Sequence, residues 1–162
     1  MKNDLEKRLV YLFSGEFAAV ITFIFVYFFY RSAISIDTFT LNYVFVTLNF
    51  ILLQGSLFWF IKWRRLKTKR LIFPKLYRTF IIFKKINFIL LCATPIILLI
   101  EMYIMSSSFL SAIFLIMIIY GFAIIEYINY YHIQLTNYNN GRGKKASIAK
   151  EIRKYSKRQL DF

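Results

Sequence analysis

Four apolar runs, at residues 9–30, 41–61, 86–105 and 109–131, restrict what this chain can fold into more than any other feature. They are 20 to 23 residues long. As an α-helix the first covers about 33 Å, enough to cross the roughly 30 Å hydrocarbon core of a bilayer. A soluble fold would have to bury all four against each other with too little polar cover left for its surface. Composition agrees: 59% of the 162 residues are hydrophobic and the mean hydropathy is +0.53, against about 45–50% apolar residues in ordinary soluble domains. The expected fold class is therefore an all-α membrane protein built as a four-transmembrane-helix bundle. The first run is longer than the roughly 7–15 apolar residues of a cleaved signal peptide and contains Glu16, so it reads as a retained helix.

Orientation follows from the segment between the second and third runs. Residues 62–85 hold ten of the 22 basic residues and no acid: Lys62, Arg64, Arg65, Lys67, Lys69, Arg70, Lys75, Arg78, Lys84 and Lys85. Hydrocarbon rejects such a density, and short basic loops beside spanning helices stay in the cytoplasm. With three bases in the head and eight in the tail, 21 fall on one side of a four-span map and only Arg31 on the other. Both termini are thus expected to be cytoplasmic. The map divides the chain into a four-helix transmembrane domain, residues 1–135, with a cytoplasmic basic loop at 62–85, and a basic cytoplasmic tail, residues 136–162.

Two parts of the basic regions look amphipathic. Pro74 can open a helix over 73–83 with Lys75, Arg78 and Thr79 on one side and Leu76, Tyr77, Phe80, Ile81 and Phe83 broadly opposite, which suits an in-plane helix between helices two and three. After a breaker at 139–143, residues 146–158 set Ile148, Ile152 and Tyr155 in a stripe amid Lys150, Arg153, Lys154, Lys157 and Arg158. Such a basic C-terminal helix can lie on an anionic leaflet, where each basic residue is worth about 1 kcal/mol. Anionic headgroups come first as the expected partner of these residues. A partner membrane protein or a second copy of the chain comes next, and nucleic acid last, because no reader motif accompanies the charge.

Polar residues inside the apolar runs are the candidate site. A carboxylate in hydrocarbon costs at least about 2.5 kcal/mol unless it is protonated, paired or wetted. Glu16 and Glu126 fall at similar depth near the cytoplasmic ends of helices one and four, within reach of Lys62, Lys84 and Lys85. One reading is a proton or cation site. The other, which we favour because neither glutamate reaches the midplane, is a pair of interhelical ion pairs. Asn49 and Gln54 lie deeper and call for partners across the bundle, with the carbonyls freed near Pro95 as one source. Glu101 reads as an interfacial carboxylate at the outer end of helix three. Ser14, Gly15, Ala18 and Ala19 form a small-residue surface suited to close helix approach, with Gly121 and Ala123 as counterparts. Tyr11, Tyr30, Tyr43, Trp59, Trp63, Tyr103, Tyr130 and Tyr131 fall near helix ends, as an interfacial aromatic belt would. His132, six residues after Glu126, is on another side of the helix from it and forms no dyad with it.

The sequence carries no P-loop, HExxH, GxSxG or clustered ligand motif, and the single Cys92 excludes an internal disulfide. No catalytic residue, cofactor or metal is expected. The segment EYINYYHIQL at 126–135, followed by the basic stretch at 144–154, resembles small four-span membrane proteins of low-GC Gram-positive bacteria, some labelled general stress proteins. The resemblance implies a bacterial cytoplasmic membrane and supplies no activity. The expected function is a small, non-enzymatic accessory, stress-related or immunity protein whose basic belt binds anionic lipid or a partner. The alternative is a small ion or solute transporter using Glu16, Glu126, Asn49 and Gln54. Topology is directly testable: a reporter enzyme active only outside the cytoplasm should stay silent when fused after Arg70, and activity there would invert the map.

Overall fold

The computed structural model describes the backbone over residues 2–34, 38–68, 76–104, 110–139 and 142–160, and side chains over 4–32, 38–68, 78–104, 112–133 and 146–153. Four long helices come first, α1 (Lys2–Ile34), α2 (Phe39–Thr68), α3 (Leu76–Ile104) and α4 (Leu110–Tyr131). A two-stranded antiparallel hairpin follows, β1 (Ile133–Asn139) and β2 (Arg142–Lys145), and then α5 (Ser147–Leu160). The four helices are long and apolar enough to cross a membrane, over Asp4–Ser32, Phe39–Thr68, Arg78–Ile104 and Ala112–Tyr131. This is the all-α four-helix arrangement that the apolar runs require.

Cross-contacts establish the up-and-down order. Trp63 Nε1 donates to Glu6 Oε1 at 3.2 Å, which puts the start of α1 beside the end of α2. At the other end Tyr27 of α1 donates its hydroxyl to Asn42 of α2, and Glu101 of α3 meets the first residues of α2. The helix α2 is central, packing on α1, α3 and α4. Val44, Leu48 and Ile51 are fully buried along it. By contrast α1 keeps Tyr11, Phe25 and Phe29 more than 70% exposed, as a peripheral helix facing lipid tails would.

Association among such helices has little hydrophobic drive, because lipid is as apolar as leucine, so close packing and buried polar contacts matter more. Among the described glycines, Gly55 is the one against which a side chain packs closely. A Cβ built there would stand 2.8 Å from Cε2 of Tyr130 and nearer still to its hydroxyl. The small-residue surface expected on α1 behaves differently: Ser14, Gly15 and Ala18 are exposed, and a Cβ at Gly15 or at Gly121 would meet nothing within 4 Å. Ala123 is fully buried, so of the expected counterparts it alone packs inside.

Several boundaries need correction. The basic segment is not one loop with its own helix. The helix α2 continues through Thr68, and α3 runs without a break from Leu76 to Ile104. Phe80 and Phe83, expected on the apolar side of an in-plane interfacial helix, pack in the bundle: Phe80 is 1% exposed and meets Phe58 edge-on at 5.7 Å, and Phe83 meets Phe50 at 5.6 Å. The apolar face of this stretch thus packs on α2, and with no proline or glycine between 76 and 94 nothing breaks the ladder. Pro74 lies outside the described residues.

Pro95 stays inside α3. It cannot donate to the carbonyl of Leu91, and Tyr120 of α4 donates to that oxygen at 3.0 Å. The expected breaker at 139–143 lies within a hairpin, in which Asn139 pairs with Arg142 and Ile133 with Lys145. The Asn-Gly dipeptide at 140–141 is also a strong sequence signal for a tight hairpin. Nor is the tail separate from the bundle: Ala146 N donates to His132 O at 3.1 Å, Ala146 and Ile148 are at most 2% exposed, and α5 packs on α3 and α4.

Gly55→Ala is expected to lower stability by about 1–3 kcal/mol through overpacking against the Tyr130 ring. Gly15→Ala should leave stability within about 0.5 kcal/mol. Thermal melting of the purified protein in detergent checks both, and equal melting temperatures would contradict the close approach.

Candidate functional site

Three polar clusters lie along the bundle, and they divide the candidate residues differently from the way the sequence grouped them. At the end away from the basic segment, Glu101 accepts hydrogen bonds from the backbone N–H groups of Phe39 and Thr40, both at 2.8 Å. A carboxylate on those donors satisfies unpaired groups at the start of α2 and complements the helix dipole. Glu101 is therefore a cap supplied by α3 to α2, beyond the interfacial role expected of it. The cap residue Thr38 adds a bond of its own, with Oγ1 accepting from Leu41 N at 3.3 Å.

The middle cluster centres on Gln54. Its Nε2 donates to Asn87 Oδ1 at 3.1 Å, and Asn87 Nδ2 donates back to Gln54 Oε1 at 2.7 Å. Tyr131 donates its hydroxyl to the same Oε1 at 2.6 Å. The partners come from α3 and α4, as a buried amide demands, but they are not the carbonyls near Pro95. Asn49 fails the expectation of a cross-bundle partner: Nδ2 donates to Phe45 O of its own helix at 2.9 Å, and Oδ1 is buried without a hydrogen bond. Asn87 had escaped notice, although the rule that flagged Asn49 and Gln54, an amide inside an apolar run, applies to it equally.

The third cluster brings Glu16 and Glu126 together. They are close enough to repel each other electrostatically, and both interact with the hydroxyl of Tyr130. One turn of α4 separates Glu126 from Tyr130, so the two lie on one helix face. Asn129 Nδ2 donates to Glu126 Oε2 at 3.3 Å and so orients that carboxylate. Tyr130 is only 4% exposed and its hydroxyl makes no hydrogen bond of normal geometry. A cavity of about 140 Å³ adjoins the group, lined by Leu12, Glu16, Trp59, Asn129, Tyr130, Ser147 and Ile148. The beginning of α5 thus forms one wall.

The expected pairing with Lys62, Lys84 and Lys85 is not what surrounds the glutamates: among the described residues the groups that act on them are Tyr130, Asn129 and each other, with no lysine or arginine. Lys62 instead places its ammonium over the rings of Phe58 and Trp59, 5.7 and 5.3 Å from their centroids. Lys84 acts on His132, whose imidazole is held below its ordinary pKa by partial burial and then by the Lys84 charge. His132 also packs on the Tyr127 ring at 5.4 Å.

Trp59, Tyr130 and Tyr131 are at most 9% exposed and belong to the core, not to an interfacial belt. Tyr11, Tyr30 and Tyr103 do stay exposed, Tyr103 at 94%. Tyr43 donates to Leu90 O at 3.1 Å.

The basic candidates gather at one end. Arg64 and Lys67 are exposed beyond the apolar part of α2, with Arg65 half-buried, and Lys67 lies over the Trp63 ring at 5.4 Å. On α3, Arg78 and Lys85 are exposed and Lys84 is half-buried. On α5, Lys150 and Arg153 are exposed, opposite the buried Ile148. Lys69, Arg70 and Lys75 lie outside the described residues, as do the side chains of Lys154, Lys157 and Arg158.

No family model, no curated protein and no solved structure matches this chain. Asn87→Leu is expected to cost about 1–3 kcal/mol, because it leaves the buried Gln54 amide unsatisfied. The double variant Gln54→Leu with Asn87→Leu should regain part of that loss. Detergent melting of the single and double variants checks the coupling, and additive losses would show that the two amides act independently.

Proposed function

We propose that the chain is a small, non-enzymatic multi-pass protein of the bacterial cytoplasmic membrane whose basic end engages anionic lipid headgroups, in an accessory, stress-related or immunity role. The observation that carries this reading is the convergence of cations from three elements at one end of the bundle. The last turns of α2 supply Lys62, Arg64, Arg65 and Lys67, the first turns of α3 supply Arg78, Lys84 and Lys85, and the outer side of α5 supplies Lys150 and Arg153. That end is shared with the start of α1 through the Trp63–Glu6 contact. If it faces the cytoplasm, as the distribution of basic residues argues, its cations lie at the level of anionic headgroups.

Docking of α5 supports the reading too. Ile148 anchors the helix to the bundle while Lys150 and Arg153 remain exposed, so the helix adds charge to a surface already basic. The transporter alternative needs one polar path through Glu16, Glu126, Asn49 and Gln54. In this bundle Gln54 is closed into its triad, Asn49 bonds its own helix, and the cavity beside Glu16 is lined by neither.

The protein, purified in a mild neutral detergent, is expected to retain phosphatidylglycerol over phosphatidylcholine, read as bound-lipid peaks by native mass spectrometry. Replacing Arg64, Lys67 and Lys85 with Gln should weaken that retention, at about 1 kcal/mol per residue at low salt. Equal retention of the anionic and zwitterionic lipids, or no change in the triple variant, would sink the reading.

A further inference from the structure

Among the described residues no lysine or arginine acts on the glutamate pair beside α5, and the surroundings of the pair suit a countercharge taken up from solution. We propose that Glu16, Glu126 and the Tyr130 hydroxyl form a binding site for a single hard divalent cation of the Mg²⁺ or Ca²⁺ class, which completes its shell with water held in the cavity under α5.

Four observations carry this inference, and none depends on the lipid reading. First, Glu16 lines a cavity with Tyr130 and Asn129, Asn129 in turn donates to Glu126, and no lysine or arginine acts on either carboxylate among the described residues. Charges of like sign in low dielectric demand neutralisation, and one divalent ion balances both. Second, Tyr130 is more than nine-tenths buried and its hydroxyl makes no hydrogen bond of normal geometry, although both carboxylates act on it and it lines the same cavity as Glu16. A buried hydroxyl without a well-formed hydrogen bond is uncommon, and its oxygen has a lone pair to offer a cation. Third, the donors are all oxygen. Cys92 is exposed on α3 and His132 packs on Tyr127, so neither joins the group; carboxylate and hydroxyl oxygens select hard ions over zinc or copper. Fourth, the cavity of about 140 Å³ is well below the roughly 300–1,000 Å³ of clefts that take drug-sized ligands, which suits a small ion and a few waters.

Two carboxylates are fewer than a closed protein cage requires, and among the described residues no group of three or more His, Cys, Asp or Glu side chains converges. Magnesium is commonly held in this way, through one or two carboxylates with several waters retained. Asn129, donating to Glu126, acts as the outer partner that orients a ligand. Ser147 on the cavity wall offers a hydroxyl to a bound water, so that ion binding and seating of α5 are linked.

The test uses the full chain in a neutral detergent, with Tb³⁺ as a hard-ion probe excited through the aromatic side chains, since Trp59 and Tyr130 both line the cavity. Saturable emission displaced by Ca²⁺ or Mg²⁺ is expected. Glu16→Gln and Glu126→Gln should each weaken it by about tenfold or more, and Tyr130→Phe by a smaller factor. Emission that never saturates, that both Gln variants leave unchanged, or that sodium displaces as well as calcium at equal ionic strength would overturn the proposal. A second measurement needs no variant: Ca²⁺ or Mg²⁺ should raise the melting temperature of the unaltered protein above that in sodium chloride of equal ionic strength. Identical melting curves would overturn the proposal even if the Gln variants failed to fold.

Discussion

Gln54 and Asn87 exchange hydrogen bonds in both directions while Tyr131 gives a third to Gln54, and these three bonds join α2, α3 and α4 at one level. In hydrocarbon an amide has no water to return to, so the triad opposes any slide of one helix along another. Gly55, the next residue on α2, lets Tyr130 approach there, where any side chain would intrude. The adjacent pair Gln54–Gly55 therefore receives the adjacent pair Tyr131 and Tyr130, one through hydrogen bonds and the other through shape. The seating of α4 on α2 depends on both, and with it the depth at which Glu126 stands beside Glu16.

The same requirement to satisfy polar groups explains contacts farther along. The carbonyl left without a donor by Pro95 takes the Tyr120 hydroxyl, and the unpaired N–H groups opening α2 take Glu101. Each joins neighbouring helices, α3 to α4 and α3 to α2. Breaks in a helix's own hydrogen bonding thus become points of attachment between helices, which suits a setting where solvent cannot fill them. Thr40 Oγ1, Asn49 Oδ1 and the Tyr130 hydroxyl are the buried side-chain oxygens among the described residues without a hydrogen bond. Only that of Tyr130 stands beside two carboxylates and a cavity, which is why it carries chemical weight and the others do not.

At the basic end, aromatic rings and cations share the surface. Lys62 lies over Phe58 and Trp59 and Lys67 over Trp63, so part of the charge is held against ring faces by cation–π attraction. The helix α5 packs over this end with Ile148 and Ile152 against the core. A short basic helix with a strongly one-sided apolar face is suited to a lipid surface, but here Ile148 is used against the bundle. That leaves the cationic side as what the helix offers outward, and it sets Ser147 over the glutamate cavity.

The sequence by itself determined the number of long helices and their approximate limits, because length and apolar content answer to the thickness of hydrocarbon and to nothing finer. It also located the cations and showed Glu16, Glu126 and Gln54 to be exceptional, since a polar group in such a run is costly wherever it points. What it could not determine was pairing. Whether Glu126 meets a lysine, a tyrosine or another glutamate depends on rotation of α4 about its axis and on its depth against α1, and both are decided by packing at Gly55 and by the Gln54 triad. Asn49 and Gln54 are alike by type and neighbourhood, yet one bonds its own helix and the other two foreign ones. The apolar side of the stretch from Leu76 suits the acyl side of a membrane interface and a helix bundle equally well, and contact with Phe50 and Phe58 on α2 decides for the bundle. Tyr130 likewise reads as an interfacial aromatic until the tertiary structure buries its hydroxyl beside two carboxylates, because which face of α4 lies inward is settled by contacts far apart in the chain.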